Sequence, residues 1–381
     1  MKKLNIGIIM QSPDIGGAET YMCSLINQFL NNKCNVSFAS NNQRLISLIH
    51  SREVKKFDIP YIIDIIGDWK GLVKAIFYLP LVLNFYISLL KNFKKEGIDV
   101  ILMSGFGEKM LVTYLARFMH IPVVWIEYGP LHPVFIRNFG IPKFIYQYLV
   151  SDPRSIIVPS KNTAQSLISD GRAKKSKLLI IPCGTAVPKN TKHKKLSKYK
   201  GKFVIGNISR MTTEKGQQVI IKAAKQIIDK IPNAHFVLIG DGPDRDTFKT
   251  LINESGLNEY FELPGFVNNL EEYFRSMDLF IFPTVWELEG FGLVSVEAMM
   301  RGIPVIASKV GPVPEIVVDD RVGKLFNVND PDSLAEKVIK LFRNQNLYNR
   351  LSHEARVWAI KNYDIDKVGK GILDILYAAS K

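Results

Sequence analysis

Glu289 and Glu297 stand with seven residues between them in Glu289-Gly-Phe-Gly-Leu-Val-Ser-Val-Glu297, two carboxylates close enough to share one site. Glu297 is the only ionisable side chain from Gly292 to Met300, and its neighbours are apolar or small. A carboxylate in such company is costly unless something donates to it. A backbone amide or an arginine would serve, and so would the hydroxyls of a ligand. Arg210 and Lys215 follow the apolar run at residues 203–209. Together they suit a diphosphate, the guanidinium as a planar fork and the ammonium as a point charge. Alone they would read as two solvated loop cations. Gly16-Gly17 precedes a helical pattern, where bare backbone can approach a phosphate, although the spaced glycines of a dinucleotide fingerprint are missing.

These groups need strands and helices to hold them. Residues 278–283 and 303–307 are short apolar runs that read as buried strands. Between them a glycine turn at 289–292 opens a helix, and Gly302 ends it. Strand, turn, helix and strand make a parallel crossover whose helix N-terminus can receive an anion. Further strands are expected at residues 4–10, 35–40, 99–103, 155–159, 178–182, 203–209 and 235–240, and residues 121–132 read as a strand running into a loop at its C-terminal edge. Residues 40–68 have mixed character and yield no assignment. Helices are expected at 330–344 and 351–361, with a terminal helix over 366–380. The alternation predicts an α/β chain.

At 381 residues the chain can form two domains, each with its own core. Three cysteines without metal-like spacing argue against a disulfide framework and point to a reducing cytoplasm. The apolar start is interrupted by Gln11-Ser-Pro-Asp, which suits a first strand better than a signal peptide. Net charge is +14, and residues 1–188 hold 22 Lys and Arg against 12 Asp and Glu. No nucleic-acid motif accompanies that excess, so an anionic membrane surface is the expected counterpart rather than nucleic acid. Residues 71–90 are long and apolar enough to cross a membrane, but Pro80 interrupts them and Lys-rich residues follow. A crossover helix, with one face available to a membrane, fits better. The Lys-rich stretch 188–202 reads as a linker or exposed loop. Asp244-Arg-Asp246 and Asp364-Ile-Asp366 have a metal-binding form but precede helices, and capping is the simpler reading. No metal and no cofactor is expected.

The motif Glu289-Gly-Phe-Gly-Leu, then Val-Ser-Val-Glu297-Ala-Met, Gly-Ile-Pro-Val-Ile-Ala and Gly-Pro-Val-Pro-Glu-Ile, resembles the donor-site signature of retaining GT-B glycosyltransferases of family four. Gly16-Gly-Ala-Glu19 resembles the same family's N-terminal motif, and Arg210 with Lys215 its diphosphate-binding pair. The resemblance implies two Rossmann-like, doubly wound domains facing across a cleft. These are an acceptor-binding domain at 1–187, a nucleotide-sugar domain at 188–365, and a terminal helix at 366–381 crossing back to the first. It implies that Glu289 and the turn of Gly290, Phe291, Gly292 and Leu293 contact the transferred sugar. Glu297 would bind the ribose, Gly16 and Gly17 would face the diphosphate, and Phe266 would lie in the turn beside the base.

The resemblance is weak over residues 40–150. Near the end of the strand that begins at Ile121, where many members carry a histidine, this chain has Tyr128, preceded by Glu127 and with His132 four residues later, and these three are the acceptor-side candidates. The expected reaction is metal-independent transfer, with retention, of a hexosyl group from a UDP- or GDP-sugar to a glycan or lipid-linked acceptor. That chemistry suits cell-surface polysaccharide or glycolipid synthesis on the inner face of the membrane. A glycosidase-like pairing of the two carboxylates fits less well, because Glu297 is helical and sits behind the turn. A GT-B nucleotide-sugar epimerase and a non-catalytic nucleotide-binding subunit are the alternatives.

Overall fold

The computed structural model describes residues 3–60, 69–191 and 193–381; of the unassigned stretch 40–68, residues 61–68 lie outside it. The chain divides into two compact units, Met1–Gly184 with Ile365–Lys381, and Thr185–Asp364.

The first unit begins β1 (Asn5–Met10), α1 (Gly17–Asn31), β2 (Asn35–Ser40), α2 (Gln43–Leu48) and β3 (Lys55–Asp58). A long helix, α3 (Trp69–Lys95), leads to β4 (Val100–Met103), α4 (Phe106–Met119) and β5 (Val123–Ile126). Two short helices, α5 (His132–Phe135) and α6 (Ile141–Leu149), precede β6 (Ser155–Val158), α7 (Lys161–Ser169) and β7 (Leu178–Ile180). All seven strands are parallel in the order β3-β2-β1-β4-β5-β6-β7. Helices cover both faces of such a sheet, so its inner strands read as unbroken apolar runs rather than alternating ones. Right-handed crossovers put α3, α4, α6 and α7 on one face and α1 on the other.

The second unit runs β8 (Phe203–Ile208), α8 (Gln217–Lys230), β9 (Ala234–Ile239), α9 (Arg245–Glu254) and β10 (Phe261–Gly265). It continues with α10 (Leu270–Phe274), β11 (Leu279–Phe282), α11 (Leu293–Met300), β12 (Val305–Ser308), α12 (Val313–Ile316) and β13 (Lys324–Phe326). Helices α13 (Pro331–Arg343) and α14 (Gln345–Tyr363) close it. Its six strands are parallel in the order β10-β9-β8-β11-β12-β13. The last helix, α15 (Ile365–Ala379), packs on α1 of the first unit, where Gln28 Nε2 donates to Asp366 Oδ1 at 2.7 Å. Asp366 is thus a tether between two helices as well as an acid in a first helical turn.

Residues 188–202 are not the free linker that their lysines suggest. Tyr199 is buried and donates to Glu262 Oε2 at 2.9 Å, while Lys195 pairs with Asp278 at 2.7 Å and Lys198 with Glu262 at 2.6 Å. One aromatic anchor and two acidic partners from distant strands are enough to lay this stretch against the second sheet.

In both sheets the order of strands reverses beside the first strand of the unit, between β1 and β4 and between β8 and β11. At such a reversal the flanking crossovers diverge to opposite faces and leave a crevice beyond the strands' C-terminal ends. Glu108 marks that point in the first unit. It closes the capping box of α4 by accepting from the Gly105 amide at 2.5 Å, and it also accepts from the amide of Gln11 just past β1. Its other oxygen has no partner among the described residues, and burial pushes the carboxyl from 4.5 up to about 7.

The folded chain therefore holds a proton that the unfolded chain releases between those two values, and stability falls as pH rises through that window. Glu108→Gln should remove the effect. Its urea-unfolding free energy should match wild type near pH 4.5 and exceed it by on the order of 3 kcal/mol at pH 8, a difference that stays flat if Glu108 ionises normally.

Candidate functional site

In the second unit the loops after β8 and β11 are bound to each other at the strand-order reversal. The Glu214 carbonyl accepts from the Val285 amide at 3.0 Å and from Thr284 Oγ1 at 3.1 Å. Gly216 has φ +79°, and a Cβ there would lie 1.9 Å from the Pro283 carbonyl oxygen, so only glycine permits this approach. The contact aims Lys215 at the second loop. Its Nζ lies 2.7 Å from Glu289 Oε2, to which Thr284 Oγ1 also comes within 3.0 Å, and 5.6 Å from the Trp286 ring centroid. Glu289 is buried.

Arg210 sits at the end of β8 with its side chain exposed and unpaired among the described residues. Its backbone is fixed: Gln217 Nε2 donates to the Arg210 carbonyl at 2.9 Å and to Ser209 Oγ at 2.8 Å, and Met211 beside it is fully buried. Asp244 does not cap α9, as its position suggested. Its Oδ2 accepts from the Thr213 amide at 2.6 Å and hydroxyl at 2.7 Å, since the loop after β8 offers two donors at once. Asp244 is thereby a brace for the turn that carries Lys215.

Gly290 and Phe291 lead from Glu289 to Gly292, which starts α11 at φ +87°. The amides of Leu293 and Val294 open that helix without intrahelical acceptors at the sheet's C-terminal edge, while that of Ser295 already donates to the Gly292 carbonyl at 2.9 Å. Phe291 is buried edge-on against Tyr363. One turn into the helix, Glu297 is largely enclosed and burial raises its carboxyl, opposed by the Arg301 guanidinium and Thr185. Arg301 spends its Nη1 on the Glu297 carbonyl oxygen and its Nη2 on Glu271, leaving the carboxylate one weak donor among the described residues, Thr185 Oγ1 at 3.5 Å. Phe266 follows β10 with 78% of its surface exposed.

In the first unit Gly16 is the N-cap of α1, exposed with Gly17. Glu19 accepts from the Gly16 amide at 2.8 Å and from Ser12 Oγ at 2.7 Å, which shapes the loop. Two of the three acceptor-side candidates face inward. Glu127 is buried against Lys109, Nζ to Oε2 2.9 Å, and accepts from the Tyr146 hydroxyl at 3.3 Å. Lys109 is itself fully buried, and its Nζ also donates to the Ile126 carbonyl at 2.6 Å. The Tyr128 hydroxyl is enclosed and the ring stands edge-on to Tyr21 at 6.1 Å. Only His132 is exposed, 3.9 Å from Asp170. Glu127 is therefore a structural anion that fixes the end of β5. Lys109, its partner on α4, was missed because one lysine in Gly-Glu-Lys-Met carries no periodic signal.

Two stability tests follow from this geometry. Gly216→Ala should cost about 2–5 kcal/mol in urea unfolding, from strain plus the collision with Pro283. Gly256→Ala has φ +68° but open space around it, and should cost only about 1 kcal/mol. Lys109→Met should cost about 3 kcal/mol by stranding Glu127, while adding Glu127→Leu should restore most of that loss.

Residues 188–358 match the family described as Glycosyl transferases group 1, and residues 15–187 match Glycosyltransferase Family 4. The chain is 28% identical over 299 residues to the capsular polysaccharide biosynthesis glycosyltransferase CapM of Staphylococcus aureus, covering 72% of this chain and 75% of that one. Its fold resembles a glycosyltransferase from Rickettsia africae at TM-score 0.83 and 16% identity, over 100% of both chains. It also resembles Anabaena HepE, solved with UDP and glucose, at TM-score 0.80 and 20% identity, over 98% of this chain and 100% of that one. The two family matches meet without a gap between residues 187 and 188, each on one of the two parallel sheets, and the chain belongs to the group 1 glycosyltransferases of GT-B fold.

Proposed function

We propose that this glycosyltransferase takes its sugar from a nucleoside-diphosphate sugar, UDP- or GDP-linked, with retention of anomeric configuration. The observation that carries the reading is the Lys215–Glu289 pair, held at the strand-order reversal by loops that only Gly216 allows to meet. In this reading Arg210, Lys215 and the first amides of α11 receive the diphosphate, and Glu289 with residues 290–293 receives the sugar. Glu297, with unused acceptor capacity, takes the ribose hydroxyls, and Phe266 lies beside the base. Gly16 and Gly17 offer bare amides at the start of α1.

Negative charge grows on the departing diphosphate as the glycosidic bond breaks. Fixed cations and amides stabilise that charge more in the transition state than in the bound donor, which is what accelerates the step. Lys215 already neutralises Glu289, so the arriving diphosphate competes for an ammonium whose direction is set beforehand. Arg210, unpaired and on a braced backbone, meets the anion at no cost in broken ion pairs. These protein groups meet the leaving group's charge in a reaction that calls on no metal. The acceptor is a glycan or lipid-linked hydroxyl bound by the first unit, and the work is surface polysaccharide or glycolipid synthesis at the cytoplasmic face of a membrane.

A panel of UDP- and GDP-sugars, scored by thermal shift and by donor hydrolysis, identifies the donor. Arg210→Ala should leave the melting temperature unchanged and lower kcat/KM roughly a hundredfold, the effect of removing one oriented charge from a developing anion. Glu289→Gln should keep nucleotide binding and lose turnover. Undiminished turnover in Arg210→Ala would remove the assignment.

A further inference from the structure

The helical face of the first unit that carries α3 to α6 exposes more apolar surface than a solvated domain needs. Residues 76–81 of α3 are exposed in unbroken succession, and six residues exceed one full turn of helix. Side chains all round that turn are therefore exposed, with Phe77 at 80%. Beyond it the helix docks: Val82, Tyr86, Leu89 and Phe93 are buried in the core of the unit. Helix α3 is apolar and long enough to cross a membrane over Ile76–Lys95, but the face of its second half that is buried in the unit makes it an element that lies against one. Neighbouring elements add Phe139 just before α6 at 98% exposure and Phe144 on α6 at 75%.

The charges on the same elements have one sign. Helices α3, α5 and α6 contain no Asp or Glu, and the single acid of α4, Glu108, is fully buried. Exposed cations flank the aromatic side chains: Lys74 on α3, Arg137 after α5 and Lys143 on α6. A protein partner with an apolar face would not require the exclusion of every exposed acid from four helices. An anionic bilayer does, because each like charge near its surface opposes binding and each cation favours it.

The position of this surface is also informative. Helix α3 ends four residues before β4, so its C-terminus lies at the N-terminal edge of the sheet. Its 27 residues extend about 40 Å, far past a strand of four residues at about 13 Å. Its free first half consequently overhangs the C-terminal edge. Residues 139–144 lie at that edge too, because α6 follows β5 and descends towards β6. This is the edge that carries Gly16-Gly17 and the Tyr128–His132 loop.

We infer that the first half of α3, together with residues 136–148, docks the enzyme on an anionic lipid surface, bringing the acceptor-side loops of the first unit against the bilayer. The purpose assigned to the surface rests on the lipid-linked acceptor proposed above; the docking itself rests only on exposure and charge. Full-length protein should sediment with vesicles of phosphatidylcholine and phosphatidylglycerol at low salt, more weakly at high salt, and weakly with phosphatidylcholine alone. Phe77→Ser/Phe144→Ser should lower vesicle affinity roughly tenfold or more, with UDP- or GDP-sugar hydrolysis in solution unchanged. Lys74→Glu/Lys143→Glu should abolish the preference for phosphatidylglycerol. Failure to sediment with either vesicle overturns the inference while leaving donor chemistry intact. A concentration-dependent dimer in sedimentation velocity that Phe77→Ser dissolves overturns it in favour of a second copy.

Discussion

Most of the second unit's chemistry depends on one backbone contact, the approach of Gly216 to Pro283. Loops after neighbouring strands in an open parallel sheet normally diverge at a reversal of strand order, because their crossovers leave to opposite faces. Here they are drawn together by a glycine in a left-handed conformation and by a carbonyl, that of Glu214, which two donors of the other loop share. Lys215, carried between them, is thereby a fixed charge rather than a flexible surface ammonium. The brace from Asp244 to Thr213 and the grip of Gln217 on the Arg210 carbonyl belong to the same device, since both hold backbone that would otherwise be a free loop.

The ion pair has an energetic logic that a simple count of contacts would miss. A carboxylate as enclosed as Glu289 is expensive without a cation, and a lysine held in one direction loses rotamer freedom. Pairing offsets both costs in the ligand-free enzyme. An anionic ligand that draws the ammonium away leaves Glu289 less compensated, so the carboxylate gains reason to accept hydrogen bonds from a sugar at that moment. On the reading proposed above, diphosphate and sugar binding would be coupled through the Lys215 nitrogen.

Much of the fold could be read from the chain. The apolar runs at 203–209, 278–283 and 303–307 became β8, β11 and β12 because a strand buried on both faces has no polar register to hide. Gly302 ends α11 at φ +71°, as a glycine after a last turn should. What could not be read were pairings at long range. Lys215 and Glu289 are 74 residues apart, and no local pattern says that a loop cation will be spent on a particular acid. The lysines before β8 looked like a linker because the one residue that pins them, Tyr199, is a lone aromatic with no periodic companion. Glu127 and Tyr128 looked accessible because they end a strand, the usual place for chemistry. Their side chains turn to opposite faces of the sheet, as consecutive strand residues do, and each face is covered by helices.

On the reading proposed above, that inward turn changes where the first unit's specificity for an acceptor would come from. With Glu127 neutralised by Lys109 and the Tyr128 hydroxyl enclosed, the end of β5 presents the loop toward His132 rather than a charged group of its own. The buried pair keeps that loop's base rigid, since Lys109 also holds the Ile126 carbonyl. A rigid base with a largely apolar continuation would suit the lipid-linked acceptor proposed above better than one recognised through a carboxylate or phosphate of its own. On the reading proposed above, the second unit supplies the charge that lets the donor's glycosidic bond break.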